Sequence, residues 1–168
     1  ASIGLDDMHS VAVYDWKKNE LKYNARTSKS LVLAMAHISS PSDGKADLPF
    51  ATGGVSHLLV WNRKGRGIAS TKKLLKYPGD RKLTKKIVIL SIAFVNGTLL
   101  AGLAHGEIYA WSENSKSPTA KFGACRTGAT SKCGINCLSL FKHNDTTFVI
   151  SASADGYIKR FKELAGSG

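Results

Sequence analysis

The chain lacks most of the features by which enzymes and membrane proteins show themselves in sequence. Its longest apolar runs, Ser30 to Ala36 and Ile87 to Val95, fall well short of the ~20 residues that cross a bilayer as a helix. No charged segment followed by an apolar one opens the chain, so no secretory leader is read. There is no Gly-x-Ser-x-Gly elbow and no Gly-x4-Gly-Lys-Ser/Thr phosphate loop. His9, His37, His57, His105 and His143 are scattered over separate segments, and no triad pattern gathers them. Cysteine is scarce, with Cys125, Cys133 and Cys137 spaced C-x7-C-x3-C. That spacing matches no zinc ribbon. Reduced thiols in a cytosolic protein, with Cys137 on a buried strand, are the main expectation, and a disulfide or metal site is the minor one. These absences leave no catalytic residue, no metal ligand set and no cofactor to assign. Acid is scarce as well: 12 Asp and Glu stand against 24 Lys and Arg, a formal charge of +12.

What the chain does have is a repeat. Sixteen glycines and only four prolines accompany a 43% hydrophobic content, which suits a turn-rich β protein. Four segments align, each a small-residue strand, a turn with Gly, Asp or His, and an alternating strand ending on an aromatic. They run Ala1–Gly4 to Trp16, Ala51–Gly54 to Trp61, Ala101–Leu103 to Trp111 and Ser151–Ser153 to Phe161. The matching aromatics are Tyr14, Trp61, Trp111 and Phe161, 47, 50 and 50 residues apart. Before three of the segments stands a nearly continuous apolar run: Leu31 to His37, Ile89 to Val95 and Ile135 to Phe141. These read as innermost strands, buried on both faces. Asn96-Gly97, His105-Gly106 and Asp155-Gly156 supply the positive φ of tight hairpins. Asn96-Gly97-Thr98 and Asn144-Asp145-Thr146 match the glycosylation sequon but read as turns between strands. His9, His57 and His105 precede third strands, a hairpin role, and Asp6, Asp7 and Asp155 sit where a carboxylate caps turn N–H groups.

The fold expected is all-β: a partial WD40-type β-propeller of about three and a half blades of four-stranded antiparallel sheet. The units are about 1–30, 31–86, 87–133 and 134–164, with residues 165–168 a linker or tail. Such repeats cannot bury their faces alone and close as rings of four to eight blades. The chain therefore reads as part of a longer protein, its open blade edges covered by the rest of the propeller or by another chain.

The blades carry a closer likeness. Leu5-Asp6-Asp7-Met8-His9-Ser10-Val11-Ala12-Val13-Tyr14-Asp15-Trp16 resembles the echinoderm microtubule-associated protein-like family. There an Asp-rich turn and a His precede a strand closing on aromatic-Asp-Trp. Gly54-Val55-Ser56-His57-Leu58-Leu59-Val60-Trp61, Ile89 to Trp111 and Ala152-Ser153-Ala154-Asp155-Gly156 resemble that family's following blades, in order, over residues 1 to 162. Gly123-Ala124-Cys125 departs from the family's Gly-Ala-His. The family's coiled-coil segment and the hydrophobic motif before its propellers do not occur in this sequence. The resemblance implies a non-catalytic module that binds tubulin or microtubules, located in the cytoplasm on the cytoskeleton, with cilium and axoneme among the settings.

One feature stands out chemically. Between Arg63 and Lys86 lie Arg63, Lys64, Arg66, Lys72, Lys73, Lys76, Arg81, Lys82, Lys85 and Lys86, ten cations against the single acid Asp80. Gly65 and Gly67 beside Arg66 read as a turn. Lysines on an edge strand guard against sheet-to-sheet aggregation, and that role weighs about as much as docking to a polyanion. Tubulin suits the resemblance. Nucleic acid suits the charge, but single-strand binding wants aromatics among the cations, and only Tyr77 qualifies. A peptide-binding scaffold is a further alternative, and no membrane partner is indicated.

Overall fold

The computed structural model describes residues 1–37, 49–78, 86–125, 133–144 and 146–162. Short runs of β-branched and aromatic residues between Gly, Asn and Asp turns become antiparallel hairpins there. The first sheet holds β1 (Ser2–Ile3), β2 (Val11–Asp15) and β3 (Glu20–Ala25). The second holds β4 (Val32–His37), β5 (Phe50–Gly54), β6 (Leu58–Lys64) and β7 (Gly67–Lys72). The third holds β8 (Ile89–Val95), β9 (Thr98–Leu103), β10 (Glu107–Trp111) and β11 (Ala120–Gly123). The fourth holds β12 (Ile135–His143), β13 (Thr146–Ser153) and β14 (Ile158–Lys162). Strand order follows chain order in each sheet. Among the described residues there is no helix, and none long and apolar enough to cross a membrane.

The architecture is a partial β-propeller, not closed. Among the described residues its first sheet begins at the second strand of a blade, and its fourth shows the first three strands. Equivalence of the blades is visible in the ladder. Thr52 faces Leu59 and Phe50 faces Trp61, just as Ala101 faces Tyr109 and Leu99 faces Trp111. Ser151 faces Lys159 and Val149 faces Phe161. The expected aromatics therefore share one structural position. A bulge recurs at Val32/Ala34, Ile89/Ser91 and Ile135/Cys137, which adds the twist each innermost strand needs. One backbone bond also repeats: Val55 N–H to Leu31 O, Ala104 N–H to Val88 O and Ala154 N–H to Gly134 O. It ties each blade's middle turn to the chain arriving from the blade before.

Three seams between four sheets make three apolar clusters. Val11, Val13, Phe50, Leu59 and Trp61 fill the first. Leu58, Ile89, Leu103, Tyr109 and Trp111 fill the second, and Leu100, Ile108, Ile135, Leu138 and Val149 the third. The small residues of the middle strands permit this approach. A methyl on Gly102 would lie 2.7 Å from Ile135 Cγ2, and one on Gly53 would lie 2.9 Å from Ile92 Cδ1.

Two expectations about the innermost strands need correction. Only β8, flanked by β4 and β12, is buried on both faces. In β4 alternate residues are exposed, and in β12 all but Ile135 and Leu138 are, because among the described residues no other innermost strand lies on their outer side. Cys137, on β12, is for that reason exposed rather than buried. The same cause divides the aromatics: Trp61 and Trp111 are buried, whereas Tyr14 is half exposed. A third correction concerns redox state. Cys125 and Cys133 are joined as a disulfide; the sequence could not show that the third and fourth blades bring them together.

Candidate interaction surface

Among the described residues, the cations of the basic stretch fall into two separate groups. Arg63 and Lys64 end β6, and Arg66 sits in the β6–β7 turn beside Gly65, whose φ of +58° is what glycine readily supplies. Arg63 Nε donates to Gly65 O at 3.3 Å, and all three cations are exposed. The ladder places Lys64 opposite Gly67 but Lys72 opposite Leu59. At about 3.3 Å per residue the two ends of β7 lie about 17 Å apart. That is about two Debye lengths at physiological salt, so a hairpin group and a connection group act nearly independently.

Lys73 does not present its charge to solvent. It is 8% exposed, and its Nζ donates to Glu113 O at 3.1 Å and Ser115 O at 2.6 Å. Those carbonyls belong to the β10–β11 turn of the third sheet. The latch continues with Leu74 N–H to Lys116 O at 2.8 Å and Trp111 Nε1–H to Leu74 O at 3.0 Å. Burial holds the Lys73 ammonium below its ordinary pKa. Its place in the structure is that of a clip between blades.

Lys72, Lys76 and Lys86 are exposed. Arg81, Lys82 and Lys85 lie outside the described residues. The latch brings two cations that the linear stretch did not contain. Lys116 is exposed beside Leu74, and Lys121 on β11 lies 4.9 Å from the Tyr77 ring centroid. No sequence signal links them to the stretch, since they follow it by thirty residues or more. Among the described residues, ion pairs join only Lys22 to Glu20 and His105 to Glu107. The exposed cations of the stretch therefore lack an acidic partner among those residues. Tyr77 packs 6.2 Å from Tyr109, centroid to centroid, and is half-buried.

The turn residues behave as hairpin parts. Asp6 accepts Met8 N–H and Ser10 N–H, and the Ser10 bond is the main reason its carboxyl sits below the usual range. Asp155 accepts Tyr157 N–H at 3.1 Å. His57 is buried, its Nδ1 3.1 Å from Val55 O and its Nε2 without a partner. That geometry suits a neutral ring protonated on Nδ1, and burial lowers its pKa. Among the described residues one group could hold a metal ion, Cys125, Cys133 and Asp155, but the disulfide engages both sulfurs.

No family model matches the chain. The 77 kDa echinoderm microtubule-associated protein of Strongylocentrotus purpuratus is 31% identical over 139 residues, which are 81% of this chain and 19% of that protein. The protein of the same name from Lytechinus variegatus is 30% identical over the same shares. Echinoderm microtubule-associated protein-like 4 of Xenopus laevis is 29% identical over 117 residues, 69% of this chain and 12% of that protein. The chain thus spans about a fifth or less of the length of these curated relatives. Among solved structures, the computationally designed Ika8 protein matches with a TM-score of 0.56, over 93% of this chain and 41% of that one. The designed Ika4 protein matches with a TM-score of 0.55, over 91% of this chain and 79% of that one. At 20% identity these two bear on the fold alone.

Proposed function

Because the chain belongs to the echinoderm microtubule-associated protein-like family, we propose that it is a non-catalytic interaction module that binds tubulin or microtubules on the cytoskeleton. The observation that carries the reading is the set of exposed cations, unmatched by acid among the described residues, at the seam of the second and third blades. Lys72, Lys76 and Lys86 supply it, with Lys116 added by the latch. An acidic protein surface is the partner such a set attracts, and salt screens it. RNA is the weaker reading. Tyr77, the single aromatic within the stretch, is packed between Tyr109 and Lys121 rather than offered as a stacking platform. The exposed apolar side chains of β4, β12 and β14, among them Leu33, Met35, Phe141 and Ile158, support cover by further blades of the same propeller.

Co-sedimentation with polymerised tubulin across a salt series tests the docking. Replacing Lys72, Lys76, Lys86 and Lys116 by Gln should abolish most pelleting at low salt and flatten its salt dependence. Replacing Arg63, Lys64 and Arg66 should have the smaller effect. Pelleting unchanged by the seam substitutions would sink the role given to that surface, and competition by RNA but not by tubulin would replace the partner.

A further inference from the structure

Cys125 and Cys133 sit where the chain passes from β11, the outermost strand of the third blade, to β12, the innermost strand of the fourth. Both flanks of the passage are pinned. Ala124 N–H donates to Gly106 O at 3.0 Å, and Ala154 N–H donates to Gly134 O at 2.8 Å. Lys159 of β14 donates its ammonium to Cys125 O, so the fourth blade grips the first cysteine directly. Positioning of the two thiols is thus built by three separate elements and does not depend on the bond between the sulfurs.

The same geometry provides for the reduced state. Cys125 Sγ lies 2.7 Å from Cys133 O, and Cys133 Sγ lies 3.4 Å from Asp155 Oδ2. Each is an acceptor for an S–H proton once the disulfide is opened. Asp155 also caps the β13–β14 turn through its other oxygen, Oδ1, which accepts Tyr157 N–H, so its second oxygen is held facing the sulfur. Cys133 is 6% exposed while Cys125 is half-buried, which makes Cys125 the sulfur that a reagent reaches first.

We propose that Cys125 and Cys133 form a reversible disulfide clasp across the third and fourth blades, exchanged with a small-molecule thiol–disulfide couple of the glutathione type. The reaction balances without another partner. The Cys125 thiolate attacks one sulfur of the glutathione disulfide and expels a glutathione thiolate. The Cys133 thiolate then displaces the second glutathione, forming the protein S–S bond. Two protein thiols become one disulfide, one glutathione disulfide becomes two thiols, and the two protons released pass to the departing thiolates. Reduction runs the same steps backward, beginning at Cys125. The inference stands independently of any microtubule partner.

The test equilibrates the protein in glutathione buffers from fully reduced to fully oxidised and quenches it with an alkylating reagent. Trypsin cuts after Lys121, Arg126, Lys132 and Lys142, so a clasp appears in mass spectrometry as peptide 122–126 joined to peptide 133–142. The Cys137→Ser variant is measured in parallel, because Cys137 shares the second peptide. The expected result is a joined pair that appears and disappears with the glutathione ratio in both proteins. Thermal unfolding should shift upward with oxidation, a shift lost in Cys125→Ser. Absence of the joined pair at every ratio would overturn the proposal. So would linkage through Cys137 in place of Cys133, or a stoichiometric zinc ion released from the freshly purified protein by a thiol reagent.

Discussion

Removing one hydroxyl at each of two equivalent positions should give opposite results. Thr52 and Ser151 occupy the same place in the second and fourth sheets, each on a middle strand, two residues along from the one facing the blade's aromatic. Both are fully buried. Thr52 Oγ1 accepts Trp61 Nε1–H at 2.9 Å. Ser151 Oγ has no partner, because the aromatic in its blade is Phe161, which has no N–H to give. Thr52→Val keeps the β-branched shape but strands the indole N–H inside the seam, at a cost of about 1–3 kcal/mol. With a urea slope of about 2 kcal/mol per molar, the midpoint should fall by about 1 M at unchanged slope. Ser151→Ala removes a polar atom already deprived of water, so its midpoint should hold or rise. Far-UV circular dichroism follows both transitions without relying on Trp61 as the probe. Equal losses at the two positions would refute the argument, as would a neutral Thr52→Val.

Further outcomes follow from the seams and the buried ionisable groups. Gly102→Ala places a methyl against Ser91 Oγ and 2.7 Å from Ile135 Cγ2, and such overpacking should cost about 1–3 kcal/mol by denaturant melt. Lys73→Met leaves Glu113 O and Ser115 O without their donor; stability should drop by about 1–3 kcal/mol, while the midpoint of Lys72→Met barely moves. His57 is held neutral by burial, below its ordinary pKa of 6.5. The unfolded chain therefore takes up the proton first as pH falls. Its contribution should be complete above pH 6.5, decline below that, and level off beneath the folded-state value. Thermal melts from pH 8 to pH 5 should show this decline flattened in His57→Asn, whose amide can still donate to Val55 O.

Much of the architecture was legible because a propeller writes the same local problem several times. Each blade needs a small residue where the next blade's inner strand approaches, and Gly53 and Gly102 supply it. Each needs a hairpin, and Asn96-Gly97 turns with φ of +43° and +76°. What a single strand's pattern could not reveal was its neighbour. Ile89 to Val95 and Ile135 to Phe141 read alike, yet only the first lies between two other blades, so the exposure of Cys137 followed from position in the ring and not from composition. The disulfide was hidden for a related reason. Seven residues separate its cysteines, and what sets Cys125 and Cys133 facing is Asp155, Gly106 and Lys159, from three turns or strands distant in sequence.

The basic stretch shows why charge along a chain and charge on a surface are different quantities in this fold. A strand of six residues carries the chain from one end of a sheet to the other, so cations adjacent in sequence, such as Lys64 and Lys72, separate by more than the screening length. Cations far apart in sequence meet when a connection is latched onto the next blade. Lys73 does that latching, and it can do so because its Nζ reaches two backbone carbonyls that compensate the burial of its charge. The flanking Lys72 is exposed, with Ser70 and Thr71, because it ends an edge strand that has no further strand beside it. One lysine therefore serves folding and its neighbour is left for a partner. A substitution series that neutralises both together would mix the two effects, so the docking role of the seam has to be read from Lys72, Lys76, Lys86 and Lys116 with Lys73 intact.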